Sequence, residues 1–311
     1  NTGIREMATR MPESAVQIAG VAEAAGQLGI KTDSILDFTE TMVMLGDSTN
    51  LSSDQAATSL ARLANITQMP QDQFDRLGST VVDLGNNFAT TESEIVEMGL
   101  RLAGAGHQVG MSEAQILGFS TALSSVGIEA EAGGSAFSKV MVEMQLAAET
   151  GGESLEQFAE VAGMSASEFS EKFKTDAAGA MIDFIKGLQT CEDRGVSAIK
   201  VLDDMGISEV RMRDALLRAA GAGDTFTNAI QTGTKAWDEN TALTNEAEKR
   251  YQTTASQLKI LGNQFVEAGI DIAGEFLPVL KDGVDAAKDF AKFLGTLSDS
   301  QKKAMVSALG L

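Results

Sequence analysis

The chain has 311 residues and carries 44 acidic against 24 basic side chains, a formal net charge of −20, with 43% hydrophobic but only 5% aromatic residues. That acidity disfavours sequence-independent binding to nucleic-acid phosphates and to anionic membrane surfaces, and no run of about 18 apolar residues marks a membrane span. One cysteine (Cys191) and one histidine (His107) argue against structural zinc and against Cys–His or Ser–His–Asp chemistry.

An interior of Ala, Leu, Ile, Val and Met, with few aromatics and only 3 prolines, points to packed helices, enough for one large or two modest domains. The first residue is Asn1 and the last eight are AMVSALGL, so a piece of a longer polypeptide is expected. Along the chain, capping-box spacing recurs at Ser52 with Gln55, Thr91 with Glu94, Ser112 with Gln115, Ser154 with Gln157 and Ser165 with Glu168. Each pair places a hydroxyl and a carboxyl or amide where a helix start needs them. His107, in AGAGHQVG, reads as an inert histidine in a glycine-flanked break. The phrase Gly–Ile/Met–Ser occurs at 110–112, 163–165 and 206–208. It suits a left-handed glycine ending one helix, an apolar residue packing back, and a serine capping the next.

The stretch GIEAEAGGSAFSKVM, from Gly127 to Met141, raises the question of a phosphate cradle. A phosphate loop follows a buried strand and carries a lysine and a hydroxyl beside its glycines. Here Lys139 lies five residues past Gly134 with no Ser or Thr after it, and the preceding residues read as helix. Gly127 and Ile128 are therefore a helix stop, with Gly133 and Gly134 at the start of the next helix. Phe137, Val140, Met141, Met144 and Ala148 fall on one face of that helix and predict a core stripe.

The acidic, glycine-rich AAETGGESLEQF marks an expected boundary at Gly151 and Gly152. The predicted organisation is a helical bundle over 1–150, a second helical subdomain over 151–240, and a long helix with a kinked C-terminal helix over 241–311. Cys191, in LQTCEDRG, has its thiolate disfavoured by neighbouring acids. Intervals of 53 and 43 residues between the Gly–Ile/Met–Ser phrases argue against a solenoid, which keeps its period. The fold class is all-α: an irregular multi-helix bundle followed by long, coiled-coil-like helices.

Beyond about residue 240, Ala247, Tyr251, Thr254, Leu258, Leu261, Phe265, Ala268 and Ile272 follow spacings of 4, 3, 4, 3, 4, 3 and 4. A 3.5-residue period suits an oligomeric coiled-coil seam; an amphipathic helix packed on its own domain gives the same spacing. Pro278 is expected to end or kink this helix, with helical spacing resuming in VLKDGVDAAKDFAKFLGTL. Glu246 and Arg250 form an i,i+4 pair. The acid pairs Glu94 with Glu97, Glu129 with Glu131 and Asp203 with Asp204 lack the aromatic platforms of a sugar subsite and read as caps or solvated faces. No catalytic, cofactor or metal site is expected.

Four stretches together resemble the central region of phage tail tape measure proteins: MPESAVQIAGVAEAAGQLGIKTDSILDFTETMVMLG, LSSDQAATSLARLANI, GMSEAQILGFSTALSSVGIEAEAGGSAFSKVM and NEAEKRYQTTASQLKILGNQFVEAGIDIAGEFLPVL. The family commonly has threonine after the paired glycines, where this chain has Ser135; residues 150–205 resemble it only in helical texture. The resemblance implies a non-enzymatic virion protein inside the tail tube, which templates tail length and leaves ahead of the genome. It also implies several copies per tail, as a trimer or hexamer, and tail tip, tail tube and tail-assembly chaperone proteins as partners. It offers no specific nucleic-acid target, and any membrane contact would come from parts outside this chain. Because a ruler should be a long, sparsely interrupted helix, residues 1–240 suit a compact end module instead. The alternatives are a helical scaffold or interaction module of non-phage origin, and a cell-wall hydrolase module.

Overall fold

A computed structural model describes residues 2–281, 292–293, 295–298 and 300–301, except for the side chains of Glu192 and 271–281. All its regular structure is helical, with no strand among the described residues. The helices are α1 (Thr2–Ala8), α2 (Ala15–Gln27), α3 (Ile35–Ser48), α4 (Ser53–Thr67), α5 (Phe74–Asn87), α6 (Glu92–Gln108), α7 (Glu113–Ser125) and α8 (Ala130–Thr150). They continue as α9 (Glu153–Ala162), α10 (Ala166–Thr175), α11 (Ala177–Gln189), α12 (Ala198–Asp204), α13 (Val210–Ala220), α14 (Gly223–Glu239), α15 (Ala242–Tyr251) and α16 (Thr254–Lys281). By compactness the chain divides into a larger unit, Val21–Ala247, and a smaller one made of Asn1–Gly20 with the segment from Glu248 onwards.

Four of the expected capping boxes form. Ser52, Thr91, Ser112 and Ser165 each accept from the backbone N–H three residues on, and Gln55, Glu94, Gln115 and Glu168 return the bond. Ser154 does not cap: α9 already starts at Glu153 behind Gly152, whose positive φ of 80° turns the chain out of α8. Ser208 does not cap either, because α13 starts two residues later with Glu209 at its N-cap. His107 lies inside the last turn of α6 and is exposed. It is not in a loop, since the glycines around it are helical and the stop falls at Gly110, φ 86°.

The larger unit is built on the contact of α7 with α14, flanked by α5 and α6, with α8 packed against α6. Phe119 on α7 meets Phe137 of α8 and Phe226 of α14 at ring-centroid distances of 5.4 and 4.8 Å. All three rings are fully buried, and burying a side chain of this size stabilises by roughly 1.5–3 kcal/mol. With so few aromatics, close approach replaces bulk. A Cβ on Gly118 would lie 2.8 Å from the Ala229 carbonyl oxygen and from Ile230 Cα, so α7 rests directly on the backbone of α14. Phe158, Phe169 and Phe184 form a second cluster between α9, α10 and α11. The residues between α8 and α9, where a boundary was expected, lie within this unit.

In the smaller unit, one face of α16 is covered by the N-terminal residues. Arg5 grips Glu267 through two bonds of 2.7 and 2.9 Å. The Asn263 amide donates to the carbonyls of Met11 and Glu13 at 3.1 and 2.8 Å, and the Gln264 amide to that of Thr9 at 2.9 Å. Ile260 is buried on the same side. The expected long helix is two: α15 ends at Tyr251 and α16 starts at Thr254. α16 runs through Pro278 to Lys281, so the proline does not end it; the expected helix beyond lies largely outside the described residues.

Candidate functional site

Four of the helix stops share one hydrogen-bond pattern. Met111, Ile128, Met164 and Ile207 each donate their N–H to the carbonyl five residues back, at 2.9, 3.2, 3.0 and 2.8 Å. Each follows a glycine of positive φ, which is the Schellman arrangement with an apolar residue packing on the last turn. Gly29 and Ile30 repeat it at 3.1 Å. Sequence reading missed that copy because lysine, not serine, follows it.

The turn at Gly127 is thus a joint. Glu129 stands at the N-cap of α8, and the paired glycines face α6. A Cβ on Gly133 would lie 2.7 Å from Ile128 Cγ2 and 2.9 Å from Met98 Cε, while one on Gly134 would collide with the Arg101 side chain. Ser138 then donates to the Arg101 carbonyl at 3.2 Å. Gly133 and Gly134 therefore serve helix approach. Beside the joint lies a groove of about 630 Å³ between the start of α8 and α13. Glu129, Glu131, Glu209 and Asp214 outnumber Arg211 and Arg218 in its lining, which repels an anion.

The residues of the expected seam fall into two groups. Ala247 is buried on α15 and Tyr251 is half-buried at its end. Thr254, Leu258, Leu261, Phe265 and Ala268 are exposed along one side of α16, Leu258 at 64% and Phe265 at 58%. This stripe lies roughly opposite the buried Ile260 and opposite Asn263 and Glu267, which bond the N-terminal residues. The Ile272 side chain lies outside the described residues.

Of the acid pairs, Glu94, Asp203 and Asp204 have partners. Glu94 serves the Thr91 cap, and the bonds it accepts hold its carboxyl below the ordinary value. Asp204 pairs with Lys200 at 2.7 Å and Asp203 with Arg213 at 3.5 Å. Asp83 on α5 is raised, chiefly by burial and further by Glu239, against the pull of Lys235 and the hydrogen bond from Asn87. Among the described residues no group of three or more His, Cys, Asp or Glu could hold a metal, and no helix is long and apolar enough to cross a membrane. Cys191 is buried, donating to the Gly187 carbonyl at 3.3 Å. Arg194 closes over it, reaching Cys191 Sγ at 3.3 Å and the carbonyls of Glu160, Val161 and Gly187 at 2.9–3.3 Å.

The helix-stop joints and the open helical stripe do not by themselves name a class, and comparison with known proteins does. The family model described as phage-related minor tail protein matches residues 1–205. The chain belongs to that family. As a minor tail protein it has a structural role in the virion tail. The match runs through 150–205, which sequence reading tied to the family by helical texture alone, and stops short of the quoted stretch that begins at Asn245. The minor tail protein is also similar to the probable tape measure protein of Halomonas phage phiHAP-1, with 22% identity over 190 residues, 58% of this chain and 22% of that protein. It therefore spans about a fifth of the length of that relative. No solved structure matches it.

Proposed function

We propose that the chain is a folded module of a tape measure protein, which organises one end of the ruler at the tail tip while other parts of the parent polypeptide set the length. The observation that carries this reading is the succession of glycine-stopped helices over Val21–Ala247, which is incompatible with a rod. Its similarity to a probable tape measure protein supports it. Residence in the tail lumen and release ahead of the DNA follow from the same reading, as does contact with tail tip, tube and chaperone proteins. The net charge of −20 suits a lumen through which DNA must slide without adhering.

The experiment is an in-frame deletion of the codons for 21–247 in the phage. A ruler segment extended at ~1.5 Å per residue would shorten tails by about 340 Å. An organising module gives no tails, or tails of uncontrolled length. Proportionally shorter tails would refute the proposal.

We also propose that the seam from Thr254 to Ile272, exposed as far as Ala268, is where copies meet, as a trimer or hexamer. Because Leu243 and Ala247 are buried in the larger unit, the truncation that tests this ends at Tyr251. Light scattering should give an oligomer for the whole chain and a monomer for the truncated one. Two monomers would leave the stripe without this role.

A further inference from the structure

The break between α15 and α16 has an unusual construction. No glycine or proline lies between Tyr251 and Ser256, so nothing in the local backbone forbids a helix there. The i to i−4 ladder gives way to one backbone i to i−3 bond and to side-chain substitutes. Thr253 N–H turns to the Arg250 carbonyl at 3.1 Å, the Gln257 amide donates to the Tyr251 carbonyl at 2.7 Å, and Thr253 Oγ1 accepts from Ser256 N–H at 3.3 Å. Thr253 thus acts as an N-cap.

The heptad phase nevertheless passes through the break unshifted. Tyr251 and Thr254, on opposite sides of it, are three apart, as the 4, 3 rhythm from Ala247 to Ile272 requires. A permanent loop between separately packed helices imposes no phase on its flanks. A segment that also exists as an unbroken helix does, because only then do Tyr251, Thr254 and Leu258 stack in one line.

We propose that this joint is a two-state switch: a capped break that closes into one helix from Ala242 to Lys281, about 40 residues and ~60 Å long. Closure gives up the Thr253 and Gln257 side-chain bonds. In return the amides of Thr254, Ala255 and Ser256 gain the carbonyls of Arg250, Tyr251 and Gln252. Covering the exposed stripe of Leu258, Leu261 and Phe265 favours the closed form, since only that form extends the stripe back to Tyr251. The inference is independent of the tape measure reading.

Amide hydrogen exchange on the whole chain tests it. Thr253→Ala removes the cap from the broken form alone. If the joint switches, loss of an ordinary cap multiplies the ratio of closed to broken form about five-fold, and exchange at Ala255 and Ser256 slows as the broken population falls, by up to that factor. If the break is fixed, the same substitution frays the first turn of α16 and exchange quickens; that result, or an unchanged rate, overturns the proposal. Thr254→Pro is the companion variant. Proline is accepted at the first position of a helix, yet its ring clashes with the Arg250 carbonyl in a through-helix. Added to Thr253→Ala, it should return Ala255 and Ser256 to the wild-type rate or faster. Retained protection in the double variant would also overturn the switch.

Discussion

Gly118→Ala is the sharpest probe of how this bundle is held together. The new Cβ would lie 2.8 Å from the Ala229 carbonyl oxygen and Ile230 Cα, and 2.9 Å from Ile230 N. Ordinary contacts to carbon need ~3.5–4.0 Å, so α7 and α14 must part by roughly 0.7–1 Å. The obstruction is backbone, which cannot rotate aside. Overpacking of this kind costs about 1–3 kcal/mol. Replacing a helical glycine by alanine returns about 1 kcal/mol, leaving a net loss of roughly 0–2 kcal/mol. Gly104, exposed on α6 with nothing within 4 Å of its Cβ position, provides the matched control; Gly104→Ala should gain about 0.4–1 kcal/mol. The single tryptophan, Trp237, sits on α14, so its fluorescence during denaturant unfolding reports the helix being displaced. A Gly118→Ala chain as stable as the Gly104→Ala chain would refute the reasoning.

Other outcomes follow from groups already placed. Thr91→Ala should cost about 1 kcal/mol, a fall of roughly 2–4 °C in melting temperature for a unit of this size. The charge on Glu94 adds a pH term. Because its folded pKa is depressed, its contribution is present above the unfolded carboxylate value and is lost as pH falls through the folded one; Glu94→Gln should flatten that acid limb of a melting-temperature profile. Asp83 has the opposite sign. Its raised pKa means stability falls as pH climbs from the unfolded value through the folded one, so Asp83→Asn should melt higher than wild type at pH 7 and level with it below the carboxylate range. A lower melting temperature for Asp83→Asn at pH 7 would mean that attraction to Lys235 outweighs burial. Arg194→Ala uncovers the sulfur it lies against and should speed thiol labelling of Cys191 in the folded chain; an unchanged rate would count against Arg194 as its cover.

What the sequence made legible was local. A capping box needs four residues and a Schellman stop needs six, so Ser52, Thr91, Ser112, Ser165 and the stop at Gly127 were readable without knowing any neighbour. The failures came where two local signals competed. Gly152 starts α9 before Ser154 can act, and α13 starts one residue too late for Ser208 to cap it. The break at Thr253 carries no glycine or proline, and periodicity reads straight across it. Gly118, Gly133 and Gly134 were visible as residues, but their purpose depends on α14 and α6, which lie far off in sequence or whose approach spacing alone does not give. The stripe of Leu258, Leu261 and Phe265 was legible as a pattern, while the face of α16 covered by residues near the N-terminus required the fold.

That last contact sets an order of events. Arg5 and Glu267 are 262 positions apart, and at roughly 5–20 residues per second a ribosome needs about 13–52 s to supply the second after the first. Throughout that interval Thr2–Ala8 has no α16 to lie against, and by its end every residue of Val21–Ala247 has been made. The larger unit is therefore free to fold during synthesis before the smaller one closes, because that closure joins residues made before the larger unit to residues made after it.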